Sequence, residues 1–157
     1  MAAGTLAELR DAHIDLMNRY ALAMDSRDWT GFASLFTPDA AFSAQQGPAL
    51  GNAAIMALDG RDALVGALSA IIESLSATHH MLSNYIVDAA EDGRSAKAAC
   101  HFRAYHAGAG PRAHLFEESL GRFEIETVRG ATGWQIRRMH ETILVMLGTA
   151  EAFGVGP

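Results

Sequence analysis

The sequence predicts an α+β domain in which three N-terminal helices pack on a strongly curved, mostly antiparallel β-sheet, forming a cone with a central cavity. Three observations carry this reading. Apolar residues recur at helical spacing up to Leu75, they alternate at strand spacing beyond it, and glycine-bearing turn signals divide the second half into long strands. A chain of 157 residues is expected to form one domain over residues 1–157, large enough to bury roughly 70% of the surface its unfolded form exposes.

"TLAE" at 5–8 has the Ser/Thr-x-x-Glu form in which Thr5 and Glu8 satisfy each other's free backbone donors, so a helix starts there. Leu6, Leu9, His13, Leu16, Tyr20 and Ala23 then form one stripe, which predicts a helix of about 18 residues. A second, short helix is predicted at 29–36, capped by Asp28 and buried through Trp29, Phe32, Leu35 and Phe36, with Pro38 just past its end. "AAFSA" at 40–44 reads as a short strand, and "QQGPALGNAAIMAL" after it reads as a loop or lid. "GRDALVGALSAIIESL" at 60–75 is a third amphipathic helix. Strands are predicted at 78–88, 95–106, 112–128 and 133–146, separated by "EDGR", "AGAG" and "RGATG".

Composition narrows the function classes. Twelve basic against eighteen acidic residues give a net charge of −6, which argues against a nucleic-acid partner, since phosphate binding is carried by clustered Lys and Arg. One cysteine, Cys100, forms no internal disulfide and no cysteine-based zinc site. The N-terminal residues lack a signal-peptide pattern and no apolar run reaches the roughly 18 residues of a membrane span. A cytoplasmic protein with no membrane partner is expected. The seven histidines show no His-x-His or His-x-x-x-His spacing, and no phosphate loop or cofactor fingerprint is present, so neither metal nor cofactor is expected.

The chemistry-bearing residues concentrate around "ATHHMLSNY" at 77–85. Successive strand residues point to opposite faces, so His79 and His80 cannot share one cavity. The register of the next hairpin decides where His106 goes. A two-residue Asp92-Gly93 loop places His79 opposite His106, whereas a longer loop or a bulge shifts the parity and puts His106 on the His80 face. Arg138 and His140 share a strand face with Trp134; they either meet an anionic group of a substrate or form ion pairs with Glu118, Glu124 or Glu126.

The order of helices and strands, together with "RYALAMDSRDWTGFASLFTPDAAF", "THHMLSN" and "GWQIRRM", resembles the SnoaL-like branch of the nuclear transport factor 2-like superfamily, on the scytalone dehydratase and bile acid dehydratase side. The resemblance covers nearly the whole chain. It implies a pocket aspartate at Asp25, a histidine at His80, a tyrosine at Tyr20 and, near the position of a further histidine, His106. Asn84, Trp29 and Arg138 are the candidate substrate-binding residues. The superfamily's ketosteroid isomerases carry their base on the early strand, where this chain has "FSAQQ", and that part of the pattern does not match.

A carboxylate accepting from one imidazole nitrogen fixes the tautomer and leaves the other nitrogen free to take a proton. Asp25 with His80 fits that description, although Asp25 near a helix C-terminus meets the negative end of the helix dipole and needs a compensating donor. The bland alternatives are a core histidine at His80, a helix-capping role for Asp25 and a core tyrosine at Tyr20. The expected function is a cofactor-independent dehydratase or cyclase acting on a small hydrophobic polyketide, aromatic or steroid-like carbonyl compound. The alternative is a non-catalytic small-molecule-binding or assembly module, its cavity filled by Met24, Met56, Phe102 and Phe116. Either is expected to pair as a homodimer through the sheet.

Overall fold

The computed structural model describes residues 5–154. Helix α1 (Leu6–Ser26) opens with the capping box read from the sequence, Thr5 accepting from the Glu8 N–H and the Glu8 carboxylate accepting from the Thr5 N–H at 2.7 Å. Its buried stripe contains His13, Leu16, Met17, Tyr20, Ala23 and Met24, while Leu6 lies exposed. The helix runs three residues past the expected length because Arg27 adopts a left-handed conformation (φ 59°) and caps it, donating its N–H to the Ala23 and Met24 carbonyls. Helix α2 (Trp29–Ser34) is capped by Asp28, as expected, and α3 spans Arg61–Glu73.

Six strands follow the order β2-β1-β6-β5-β4-β3 in one sheet. They are β1 (Phe36–Gln46), β2 (Ala54–Asp59), β3 (Leu75–Ala89), β4 (Ser95–Gly108), β5 (Phe116–Arg129) and β6 (Trp134–Gly148). All neighbours are antiparallel except β1 and β6. Two readings of the sequence change here. Pro38, expected beyond a helix, lies inside β1, where the β1–β6 register is interrupted between Phe36 and Ala41; a residue without an N–H is tolerated at such a break. The segment read as a lid contains β2, an edge strand paired with β1. Apolar residues on both of its faces, Ile55 and Ala57 on one and Met56 and Leu58 on the other, hid a strand that is only half covered.

The helices cover one face of the sheet. Alternate residues of β4, namely Ala96, Ala98, Cys100, Phe102, Ala104 and His106, are buried on that face, joined by Phe123 and Ile125 of β5 and Ile136 and Met139 of β6. On the opposite face Met81, Tyr105, Val145 and Leu147 remain exposed. Among the described residues no helix is long and apolar enough to cross a membrane.

Candidate functional site

The C-terminal end of α1 is tied down before it meets the sheet. The Arg27 guanidinium donates to the Ile72 and Leu75 carbonyls, at 3.4 and 3.0 Å, clamping the helix end to the end of α3 and the start of β3. Asp25, in the last turn, is thereby held against β3, an edge strand whose outer N–H groups have no neighbouring strand to bond. Its carboxylate uses them. Oδ2 accepts from the His80 backbone N–H at 2.9 Å, and Oδ1 accepts from the Thr78 hydroxyl at 2.9 Å and from His80 Nδ1 at 2.7 Å. Burial alone would push the Asp25 carboxyl upward, but the hydrogen bonds from the His80 ring and backbone, the charge of His80 and the Thr78 hydroxyl outweigh it and hold the group below its ordinary value. The compensating donors needed at a helix C-terminus are these.

Strand alternation separates the two adjacent histidines as the sequence requires. The His80 side chain is 6% exposed and the His79 side chain 68%. His106 joins His80. Near the turn, Val87 pairs with Ala98 and Ala89 with Ala96, the register of a regular hairpin, but between Ser83 and Ile86 the register slips by one, and from there Thr78 pairs with His106 and His80 with Ala104. The extra residue is accommodated around Asn84, whose φ of 57° marks a bulge. The His80 and His106 rings meet edge to face, centroids 5.6 Å apart. The far side of His106 is covered by Phe153, at 5.0 Å, from the short 3-10 turn Ala150–Phe153.

A second carboxylate holds the second imidazole. Glu117, directly across the β4–β5 ladder from His106, accepts from His106 Nδ1 at 2.6 Å and also from the Ser119 hydroxyl. Glu117 is 2% exposed. Further along the same face, Glu141 of β6 lies between Ala44 of β1 and Phe123 of β5. Burial, and secondarily the negative charge of Glu117, raises the Glu141 carboxyl to about 7. Sequence reasoning missed both acids. The signal for Glu141 was present as a carboxyl interrupting the alternating apolar series Met139, Glu141, Ile143. Glu117 needed the β4–β5 register.

The remaining candidates sit elsewhere. Tyr20 is buried among Phe32, Phe36 and Phe123, and because α1 stays helical through Ser26, it lies away from the face that carries Asp25. Burial, helped by the charge of Glu141, raises its phenol far above the ordinary value. Trp29 packs edge-on against Phe32 and donates its indole N–H to Glu73, linking α2 to α3. Asn84 is exposed, with its side chain beside His101 at 3.3 Å, outside the histidine pair. Its role in the geometry is the bulge. Arg138 is 70% exposed and pairs with Glu126 at 3.8 Å, the surface arrangement that the sequence offered as the alternative to substrate binding. His13 bonds to the Leu9 carbonyl and to Thr127, and burial lowers its pKa from the usual histidine value.

Of the four side chains expected to fill an interior, Met24 and Phe102 do so, Met56 is partly buried, and Phe116 lies 39% exposed, stacked on Tyr105. A cleft of about 1330 Å³ opens between the start of α1 and the β3–β4 and β5–β6 turns, lined by Leu9, Asp15, Arg94 and Trp134 among others. It contains none of the histidines. Among the described residues no three His, Cys, Asp or Glu side chains are grouped as a metal site would require.

Comparison with solved structures shows the same fold across almost the whole chain. A protein proposed to be an aromatic ring hydroxylase from Novosphingobium aromaticivorans superposes with a TM-score of 0.80 at 24% identity, covering 96% of this chain and 99% of its own. A proposed scytalone dehydratase from the same organism gives 0.75 at 22%, covering 92% and 89%. A hexachlorocyclohexane dehydrochlorinase gives 0.72 at 12%, covering 92% and 90%. No curated protein matches. The model of the SnoaL-like domain family matches residues 6–140, and the chain belongs to that family.

Proposed function

We propose that the protein is a lyase acting on a small hydrophobic carbonyl compound, with Asp25 and His80 as its base and His106 as its acid. The observation that carries this reading is the Asp25–His80 pair. A carboxylate that accepts the Nδ1 proton at 2.7 Å, while a second bond from the His80 backbone holds the strand in place, makes Nε2 the nitrogen of His80 that gains and loses a proton. Nε2 takes the proton from the carbon next to the substrate carbonyl. The C–O bond at the following carbon then breaks, and the departing oxygen takes a proton from His106 and leaves as water. An intramolecular aldol closure uses the same base. The structural likeness to a proposed scytalone dehydratase and to a dehydrochlorinase supports elimination as the reaction type. Pairing of two copies through Met81, Tyr105, Val145 and Leu147 on the helix-free face belongs to the same reading, and sedimentation of the purified protein tests it.

Two probes test the activity. α-Tetralone has an acidified C–H and no leaving group, so hydrogen exchange in D2O reports the base alone; its β-hydroxy derivative loses water to give α-naphthol, which fluoresces. Wild-type protein should catalyse both and His80→Ala neither. Wild-type protein that binds the probes without turnover, or a His80→Ala variant as active as wild type, would overturn the proposal in favour of a binding module.

A further inference from the structure

We propose that Glu117 is a positioning residue for His106, dedicating that imidazole to the departing oxygen while Asp25 and His80 serve the carbon-bound proton. This rests on the lyase reading above. Neighbouring glutamates on β5 show that the placement of Glu117 is specific. Glu118, itself only 7% exposed, turns to the helix-free side and has a full-time cation there, the Arg103 guanidinium. Glu117 turns inward, is 2% exposed, and has His106 as its ion-pair partner, with no Lys or Arg within reach among the described residues.

A buried carboxylate without a full-time cation is costly, and a well-packed apolar residue would stabilise the same position better. What Glu117 supplies instead is directional. By accepting the Nδ1 proton it leaves Nε2 as the nitrogen of His106 that exchanges a proton, and its charge balances the imidazolium when Nε2 is protonated. Ser119 donates to the other carboxylate oxygen and fixes the rotation of the carboxylate.

The two carboxylate–imidazole pairs also differ in a way that separates their roles. Asp25 spreads its charge over three donors at the sheet edge and its side chain is 20% exposed. Glu117 gives its charge to two donors inside the protein, where little solvent screens it. The negative charge of Glu117 is thus concentrated on His106, which suits that imidazole to the acid role, while Asp25 orients His80 for the base role. In the step itself the C–O bond breaks with its electron pair on oxygen, the oxygen takes the Nε2 proton of His106, and the carbon-bound proton rests on His80 Nε2. One water leaves, and the proton on His80 returns to His106 through solvent. No other reactant is consumed.

The two tetralone probes separate this role from a structural one. Glu117→Gln keeps the size of the side chain and an oxygen that can accept from Nδ1, so the variant should fold; it should exchange α-tetralone within about twofold of wild type, yet eliminate water from the β-hydroxy derivative about tenfold or more slowly, with the loss in kcat. Ser119→Ala should show a smaller loss of the same kind. Nitrogen-15 NMR across a pH titration should show that the His106 imidazolium gives up its Nε2 proton and leaves the Nδ1–H tautomer in wild type, and a mixture of tautomers in Glu117→Gln. Exchange and elimination falling together would assign Glu117 a purely structural role, and unchanged elimination would also overturn the inference. A wild-type protein inactive on both probes would instead remove the lyase reading on which it rests.

Discussion

Thr78 stands directly opposite His106, one residue out of step with the pairing of Val87 and Ala98 nearer the turn. That slip brings the two imidazoles together. Without it, the register set by the turn would place His79 on the inner face opposite His106 and turn His80 out to solvent. The face on which the histidines meet is therefore decided about Asn84, four residues from His80, by a backbone feature rather than by either histidine.

Asn84 holds a positive φ that asparagine tolerates and that β-branched residues adopt only at a cost of about 1–2 kcal/mol. Asn84→Val should therefore lower stability by about that amount in urea titration and reduce any turnover, as the strand shifts toward the regular register. Asn84→Gly should stay within about 0.5 kcal/mol of wild type and keep its activity. Equal loss in both variants would point to the amide group, and to its contact with His101, rather than to the bulge.

Asp25→Asn should separate chemistry from folding. Asparagine cannot accept all three donors as an anion does, so turnover of the tetralone probes should fall about a hundredfold or more while the folded state loses about 1 kcal/mol. The pH dependence checks the same bonds. The folded carboxyl sits below its unfolded value, so its stabilisation is present above about pH 4 and is lost as the pH falls through the folded pKa. Melting temperatures recorded between pH 7 and pH 3 should drop less for Asp25→Asn than for wild type.

Most of the fold was legible because its helices and long strands bury one face each, and that burial prints a period of three to four residues in α1 and α3 and of two in the strands after Leu75. β2 was not legible, since Ile55, Met56, Ala57 and Leu58 are apolar on both faces of an edge strand and leave no alternation to read. At the site, Asp25 and His80 were placed by family pattern and strand parity together, whereas His106 stayed ambiguous because nothing in the local residues reveals a bulge. Asn84 was drawn in by the family pattern and Arg138 by strand parity, and both spend their side chains outside the paired histidines. Glu117 and Glu141 were lost for the opposite reason. A carboxylate in a strand ordinarily signals the solvent face, and only the register across three strands shows that these two point inward.

Glu141 makes a prediction opposite in sign to that of Asp25. Its carboxyl titrates near 7 in the folded protein, because burial and the charge of Glu117 disfavour the anion. A group whose folded pKa lies above its unfolded value contributes stability at low pH that is lost as the pH rises through the folded value. Wild-type protein should accordingly lose stability between about pH 5 and pH 8, by an amount on the order of 2–3 kcal/mol. Glu141→Gln, which keeps the shape and removes the titration, should flatten that decline and leave the variant more stable than wild type at pH 8. In Glu117→Gln the midpoint of Glu141, followed by carbon-13 NMR of its carboxyl, should move down, since one of the two causes of its elevation is gone. A midpoint that does not move would mean that burial alone sets it and that Glu117 carries no charge.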